Sequence, residues 1–367
     1  MTRSKVFGLC VSAVAALTLT AVACSSPAAP APTTAPAPTT APAAPKAAEP
    51  TKAAAPAPAQ PTAAPAAKTA FPEKGKSITM IVPFPAGGST DIGARLLASG
   101  MEKELGVSVQ VVNKAGAGSQ TGLTDLAKAK NDGYTIGFAN LPTANLVYTD
   151  PERKAAFSGK DFTPIGVQVV DPSAIGVKGD GPFKTVKDMV DVGKAKPESI
   201  KFGSDGPMTD DDLGIFQLEK ASGANFANVA FDGSATTINA VLGGHIDAAF
   251  GHVGDFLGQV KSGQVRVIAV ADKERSKYYP DTPTMIEQGY NITNSSSRTL
   301  VAPAGVSSDV VNVLSAAMKK AMDAPDHMQK MNDAGLTVRY MDPAQTATFW
   351  LEMDKLAKSL VDEVRKQ

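Results

Sequence analysis

The residues whose types and spacing best suit chemistry lie in one loop, Gly87-Gly88-Ser89-Thr90-Asp91, which joins an apolar strand to a helix. Glycines let backbone N–H groups approach a ligand closely, and the unpaired donors of a first helical turn point outward. Ser89 or Thr90 can cap that helix and still offer a hydroxyl. The chemistry is that of an anion cradle, although the same glycines equally suit an ordinary tight strand-to-helix turn. No G-K-[S/T] follows, which excludes a Walker A phosphate loop. Gly116 and Gly118 do not complete a dinucleotide fingerprint, because Thr121 stands where the third glycine belongs.

The other chemistry-bearing residues are sparser. Asp210-Asp211-Asp212 lacks the spaced calcium-loop pattern. Negative charge at a helix N-terminus reads there as dipole complementation rather than a metal site. His245, His252 and His327 are the only histidines, and none stands in an H-E-x-x-H or nucleophile-elbow setting. His245 reads as a strand-entry residue. His252 directly follows a strand, where it can face a ligand cleft. With no nucleophile–base pair, metal set or cofactor fingerprint, the chain reads as a binding protein without cofactors rather than an enzyme.

The elements that must position these residues follow from periodicity. Residues 77–82 form a short β-branched strand, and the helix after the first loop sets Ile92, Leu96, Leu97, Met101 and Leu105 on one stripe. Strands at 107–112 and 134–138 flank a helix at 123–130. A second series follows: strand 162–177, helix 186–194, strand 200–203, helix 211–222, strand 227–231, helix 235–242, strand 248–250, helix 253–262 and strand 265–270. Residues 300–302 return to strand before terminal helices at 308–323 and 343–366. This alternation predicts two α/β lobes on a mostly parallel sheet, with ligand beyond the carboxyl ends of its strands.

The chain has 367 residues, enough for two domains. Residues 1–70 hold five basic side chains and one acidic, leaving 31 basic and 35 acidic and a net charge of −4 thereafter. An acidic body is a poor polyanion binder, which excludes nucleic acid as a partner. Cys10 and Cys24 are the only cysteines, so the body has neither disulfides nor thiolate sites. Arg3 and Lys5 precede an apolar run from Val6 to Ala23, the pattern of a secretory signal over residues 1–24. Ala21-Val22-Ala23-Cys24 resembles a bacterial lipobox, which makes Cys24 the lipidation site. Residues 25–70 are rich in Pro, Ala and Thr, a composition that predicts a disordered, partly polyproline-II tether.

From about Ser77 to Phe349 the body resembles the substrate-binding proteins of tripartite tricarboxylate transporters, the TctC-like or Bug family. The resemblance rests on Ile81-Val82-Pro83-Phe84-Pro85-Ala86-Gly87-Gly88-Ser89-Thr90-Asp91, on Asn113-Lys114-Ala115-Gly116-Ala117-Gly118, and on Asp132-Gly133-Tyr134-Thr135. It continues through Phe162-Thr163-Pro164-Ile165-Gly166, Leu242-Gly243-Gly244-His245-Ile246-Asp247 and Ala302-Pro303-Ala304-Gly305. It implies a two-lobed, hinged periplasmic-binding-protein architecture of type II. Lobe one would be residues 77–171 plus 294–367, and lobe two residues 172–293.

The resemblance further implies a monomeric extracytoplasmic receptor, anchored to the membrane by lipid. Such a receptor passes a small organic carboxylate from the interlobe cleft to a tripartite-type membrane permease. An extracytoplasmic enzyme and a sensory module signalling to a membrane kinase are the other function classes. One carboxylate would meet the amides and hydroxyls of Phe84, Ala86, Gly87, Gly88, Ser89, Thr90 and Asp91. Across the cleft, Ser204, Thr209, Gly233 and Ser234 would read the other end, with Asn140 and His252 as further candidates. The family pattern G-x-G-[S/T]-x-x-H falls on residues 206–212, where Met208 replaces the second glycine and Asp212 the histidine. Asp212 in the cleft would repel a second carboxylate, so the expected ligand has a neutral or cationic far end.

Overall fold

The computed structural model describes residues 71–366. The signal segment 1–24 with Cys24 and the tether 25–70 lie outside the described residues. The chain begins β1 Ile78–Val82, α1 Ser89–Leu105, β2 Val109–Asn113, α2 Gln120–Ala127, β3 Thr135–Leu141 and α3 Thr143–Thr149. It continues through β4 Phe162–Lys178, α4 Val186–Ala195, β5 Lys201–Ser204, α5 Asp210–Ser222 and β6 Ala227–Ala230. Next come α6 Ser234–Leu242, β7 Ala248–His252, α7 Val253–Lys261 and β8 Val265–Val270. The last elements are β9 Ser295–Pro303, α8 Ser308–Asp323, α9 Pro325–Asp333, β10 Val338–Met341 and α10 Pro343–Val364.

β1 lies between β2 and β3 and runs parallel to both, while β9 runs antiparallel to β3. β4 is the strand that links the two halves of the sheet. Its residues 162–172 pair with β9, and β10 joins at Val167 and Val169. From Ser173 onward β4 pairs instead with β7, and from Ala174 with β8. β5 runs parallel to both β7 and β6. The sheet is therefore mixed rather than mostly parallel, because the long strands that pass between the two halves run against their neighbours.

Each half has its own apolar cluster. Met80, Phe138 and Leu300 from the first half pack with Leu97 and Met101 of α1 and Leu314 and Met318 of α8. Phe202, Phe250 and Ile268 from the second pack with Ile215 and Leu218 of α5. The chain passes between the halves at residues 171–173 and 294–295, which touch. Ser173 N donates to Asn294 O at 2.8 Å, and Asn294 N donates to Ala271 O at 2.9 Å.

Two departures from the periodicity have plain causes. β9 starts at Ser295, five residues before the apolar triplet, because the run Ser296-Ser297-Arg298-Thr299 buries polar rather than apolar side chains. α9 and β10 occupy a stretch left unassigned, since α9 buries only His327 and Met331 and shows no broad apolar stripe. Among the described residues, no helix is long and apolar enough to cross a membrane.

Candidate functional site

The loop between β1 and α1 owes its shape to backbone freedom and to one carboxylate. Gly87 has φ +90°, in the region that disfavours side chains, and Gly88 is extended at the N-cap without any side-chain cap. Asp91 accepts from Gly87 N at 2.9 Å, Arg95 Nε at 3.0 Å and Asn113 Nδ2 at 2.9 Å. Burial pushes its carboxyl up, but the Arg95 guanidinium and these amides outweigh that and hold it below the usual range. Asp91 therefore fastens the loop from behind.

In front of the loop lies a cavity lined by residues from both halves of the sheet. Phe84, Pro85, Gly88, Ser89 and Thr90 come from the loop and α1, joined by Asn140, Thr143 and Arg298. Asp205, Thr209, Asp210, Ser234, His252 and Asp255 come from the other half. The atom-free space is about 390 Å³ including the mouth, yet the room for the centre of a water molecule is only about 20 Å³. Opposite walls touch at the rim. A Cβ on Gly88 would lie 2.9 Å from Ser234 Oγ, and one on Gly233 only 2.7 Å from Pro85 Cδ. The walls must separate before a small acid can enter.

The electrostatic centre is His252, 5% exposed, at the end of β7. Its Nε2 lies 2.6 Å from Asp210 Oδ2 and its Nδ1 3.1 Å from Asp255 Oδ2. A ring with carboxylates at both nitrogens must donate from both, so it is an imidazolium. Burial disfavours that charge, but Asp211 and Asp210 outweigh it and push the His252 pKa well above its ordinary value. The same cation, with Arg298, holds Asp210 and Asp255 below the carboxylate range against their burial.

Asp255 also reaches across the cavity. Its Oδ1 accepts from Ser89 N at 3.2 Å and from Ser234 Oγ at 2.8 Å. It thus caps α1 from the opposite wall, where charge complements the helix dipole. Arg298, 1% exposed, donates to Ser89 Oγ and Ser296 O and lies 3.6 Å from Asp171. Thr143 Oγ1 donates to Asp210, and Asn140 Nδ2 donates to Thr90 Oγ1 at 2.9 Å. Ligand atoms of Asp210, Asp211 and His252 lie within 4.8 Å of one another. A metal would need His252 neutral with a free lone pair, whereas both ring nitrogens here serve carboxylates.

Residues 93–365 match the family described as Tripartite tricarboxylate transporter family receptor. The chain belongs to that family. A UPF0065 protein encoded in the gbd 5' region of Cupriavidus necator is 31% identical over 299 residues, 80% of this chain and 88% of that one. The solved periplasmic binding protein BugD is 29% identical with a TM-score of 0.73, over 80% of this chain and 98% of its own. MatC from Rhodopseudomonas palustris, solved with bound malate, is 25% identical with a TM-score of 0.74, over 79% and 100%. The fold is thus that of a periplasmic binding protein, and the receptor family is extracytoplasmic. A family of solute receptors points away from catalysis.

Against the family expectation, the structure gathers Phe84, Gly88, Ser89, Thr90, Asn140, Thr209, Ser234 and His252 around one cavity. Ala86, Gly87, Asp91, Ser204, Asp212 and Gly233 do not line it. Ser204 instead donates to Asn228 at 3.2 Å. Asp212 accepts from Met208 N at 2.6 Å and from Asn228 Nδ2. Met208 is buried against Leu146 and Leu213 rather than crowding the cradle. Sequence reasoning misses Thr143, Asp205, Asp210, Asp255 and Arg298. An arginine within a serine-rich run leading into a strand is the available signal, because a buried arginine needs partners.

The neighbours of His252 titrate unusually. Burial and the Asp255 charge push Asp205 up to about 7, with His252 opposing and Asp210 adding to the rise, and burial pushes Asp171 up to about 6 despite Arg298. Folded Asp205 keeps its proton up to about pH 7, whereas an unfolded aspartate ionises near 3.8. The native state therefore holds the extra proton between those values, and stability falls as pH rises through that window. Thermal unfolding temperature should decline from about pH 4 to pH 7, and more shallowly in Asp205→Asn. Equal slopes for the two proteins would mean that Asp205 ionises normally in the fold.

Proposed function

We propose that this receptor captures a small organic carboxylate between the two halves of its sheet and hands it to a tripartite-type membrane permease. The observation that carries the reading is the first turn of α1, open to the cavity beside Arg298. Ser89 N is already held by Asp255, but the amide of Thr90, which lines the cavity, is one of the donors that a first helical turn leaves without an acceptor in the helix. The helix dipole adds about 0.3–1 kcal/mol for a bound anion, or about 2 when partly buried, and each charged hydrogen bond about 1.5–3 kcal/mol. Two or three such bonds, less the cost of association, suit a micromolar site. The bound malate of MatC supports the same ligand class.

In this reading the lobes are residues 77–171 plus 294–367 and residues 172–293. The hinge is the pair of touching segments at 171–173 and 294–295, whose few backbone bonds leave both apolar clusters intact as they turn. The body works as a monomer tethered by residues 25–70 to lipid on Cys24.

Two experiments test this reading. Calorimetry with malate, other small mono- and dicarboxylates and amino acids should find a ligand for the wild type. Gly88→Val, verified as folded, should bind it at least tenfold more weakly, since the added side chain strikes Ser234 at the mouth of the cradle. Unchanged binding would leave the two glycines as an ordinary turn. Separately, Cys24→Ser should move the protein from the membrane fraction to the soluble one. Retention at the wild-type level would make residues 6–23 an uncleaved anchor.

A further inference from the structure

Behind the strands that join the two halves lies a second cavity, to which solute capture in front gives no task. Side chains alternate across a strand. Asp171 meets Arg298 on the side of the front cavity, whereas Val170, Pro172 and Ser295 line the second one. Asp210 stands between the two. Its carboxylate meets His252 in front, and its carbonyl oxygen accepts from Asn294 Nδ2 at 2.7 Å behind. Both halves supply walls: α10 and Arg339 of β10 from the first, and Leu213 of α5, Ala271 and Asp272 from the second.

The second cavity is much the roomier. Its space for the centre of a water molecule is about 490 Å³, against about 20 Å³ in front. That is the size of a small-molecule pocket, and such pockets pair a mostly apolar lining with a few polar groups. Here Leu213, Phe349, Met353, Leu356 and Leu360 supply the apolar surface. Thr337 and Arg339, two residues apart, line the cavity, while Val338 between them packs with Val169 and Met331. Among the described residues Arg339 has no hydrogen bond or ion pair, whereas every other arginine there has an acceptor. Asp272, from the other half, accepts from Lys273 N at 2.7 Å and forms no ion pair with Arg339. The unmet charge is the guanidinium, which suits a two-pronged bond to a carboxylate. A second carboxylate on the same molecule would face leucines, and a neutral apolar molecule would leave Arg339 unmet.

We propose that this second cavity binds a small amphipathic monocarboxylate, its head on Arg339 and its apolar body along α10 and Leu213, and that the filled cavity holds the front cleft closed. The second part rests on the hinge proposed above. With the hinge between the cavities, a turn that parts the front walls brings the back walls together. An acid lodged behind the hinge opposes that turn. The coupling is reciprocal, so a closed cleft binds the acid more tightly.

Octanoate is the probe and 1-octanol its neutral match, followed by NMR of the full chain with labelled methionine methyl groups. Octanoate should move the Met353 signal, assigned with Met353→Leu, and bind at least tenfold more tightly than 1-octanol. No methionine lines the front cavity, so that signal reports on the back one. Arg339→Gln, a change at an exposed residue, should weaken octanoate at least tenfold and leave 1-octanol unaltered. Ser89 N–H bonds to Asp255 across the cleft, so its exchange with solvent reports opening. Octanoate should slow that exchange in the wild type and not in Arg339→Gln. The comparison with 1-octanol needs no variant. An unmoved Met353, equal binding of the two probes, or undiminished binding by Arg339→Gln would overturn the site. A moved Met353 with unchanged Ser89 exchange would overturn the coupling. Neither result touches the front cradle, which Gly88→Val tests separately.

Discussion

A buried imidazolium held between two carboxylates is the interaction on which the rest of the site depends. His252 joins Asp210 to Asp255, and each of those aspartates holds further elements. Asp255 reaches Ser89 on α1 and Ser234 on α6, while Asp210 reaches Thr143 on α3. Five helix starts, α1, α3, α5, α6 and α7, thus converge on one charged chain. Taking one partner from a buried ion pair typically costs about 3–5 kcal/mol, because the charge left behind is neither solvated nor paired.

That constraint also decides what the cavity can hold. Helix N-termini favour anions, and α1 offers one. Here, however, a side chain of the protein already takes the Ser89 amide, and the walls carry more carboxylates than cations. The positive end of α1 thus faces a wall that carries the ionised Asp210 and Asp255. Because Asp255 bonds to groups on both sides, it also draws the walls together, in keeping with the little room left between them. Ligand entry must therefore exchange internal hydrogen bonds for bonds to the solute, which keeps a closed cleft from being a tight one.

The part of this site legible in the sequence is the part built locally. Strand, glycines and helix start are consecutive from Ile78 to Leu105, and their chemistry needs no distant partner to be read. His252 follows from the same logic, as the residue that ends a strand. The placement of the three aspartates has a geometric cause: successive helical residues point about 100° apart, so only one of them faces a given wall, and here it is Asp210. Arg298 and Asp255 are hidden for a different reason. Their roles come from contacts across 209 and 166 residues of chain, which no local pattern encodes. The strand carrying Arg298 is itself obscured, since its buried face is polar and gives no apolar alternation.

The most direct measurement is the protonation state of His252, followed by nitrogen NMR of ring-labelled protein from pH 5 to 9, with the His252→Gln variant used to assign the resonances. Both ring nitrogens should show protonated, imidazolium shifts at pH 7 and lose them only well above the ordinary titration near pH 6.5. A ring that is a neutral tautomer at pH 7, or that titrates near 6.5, would contradict the charged chain through Asp210 and Asp255 and with it this account of the cavity.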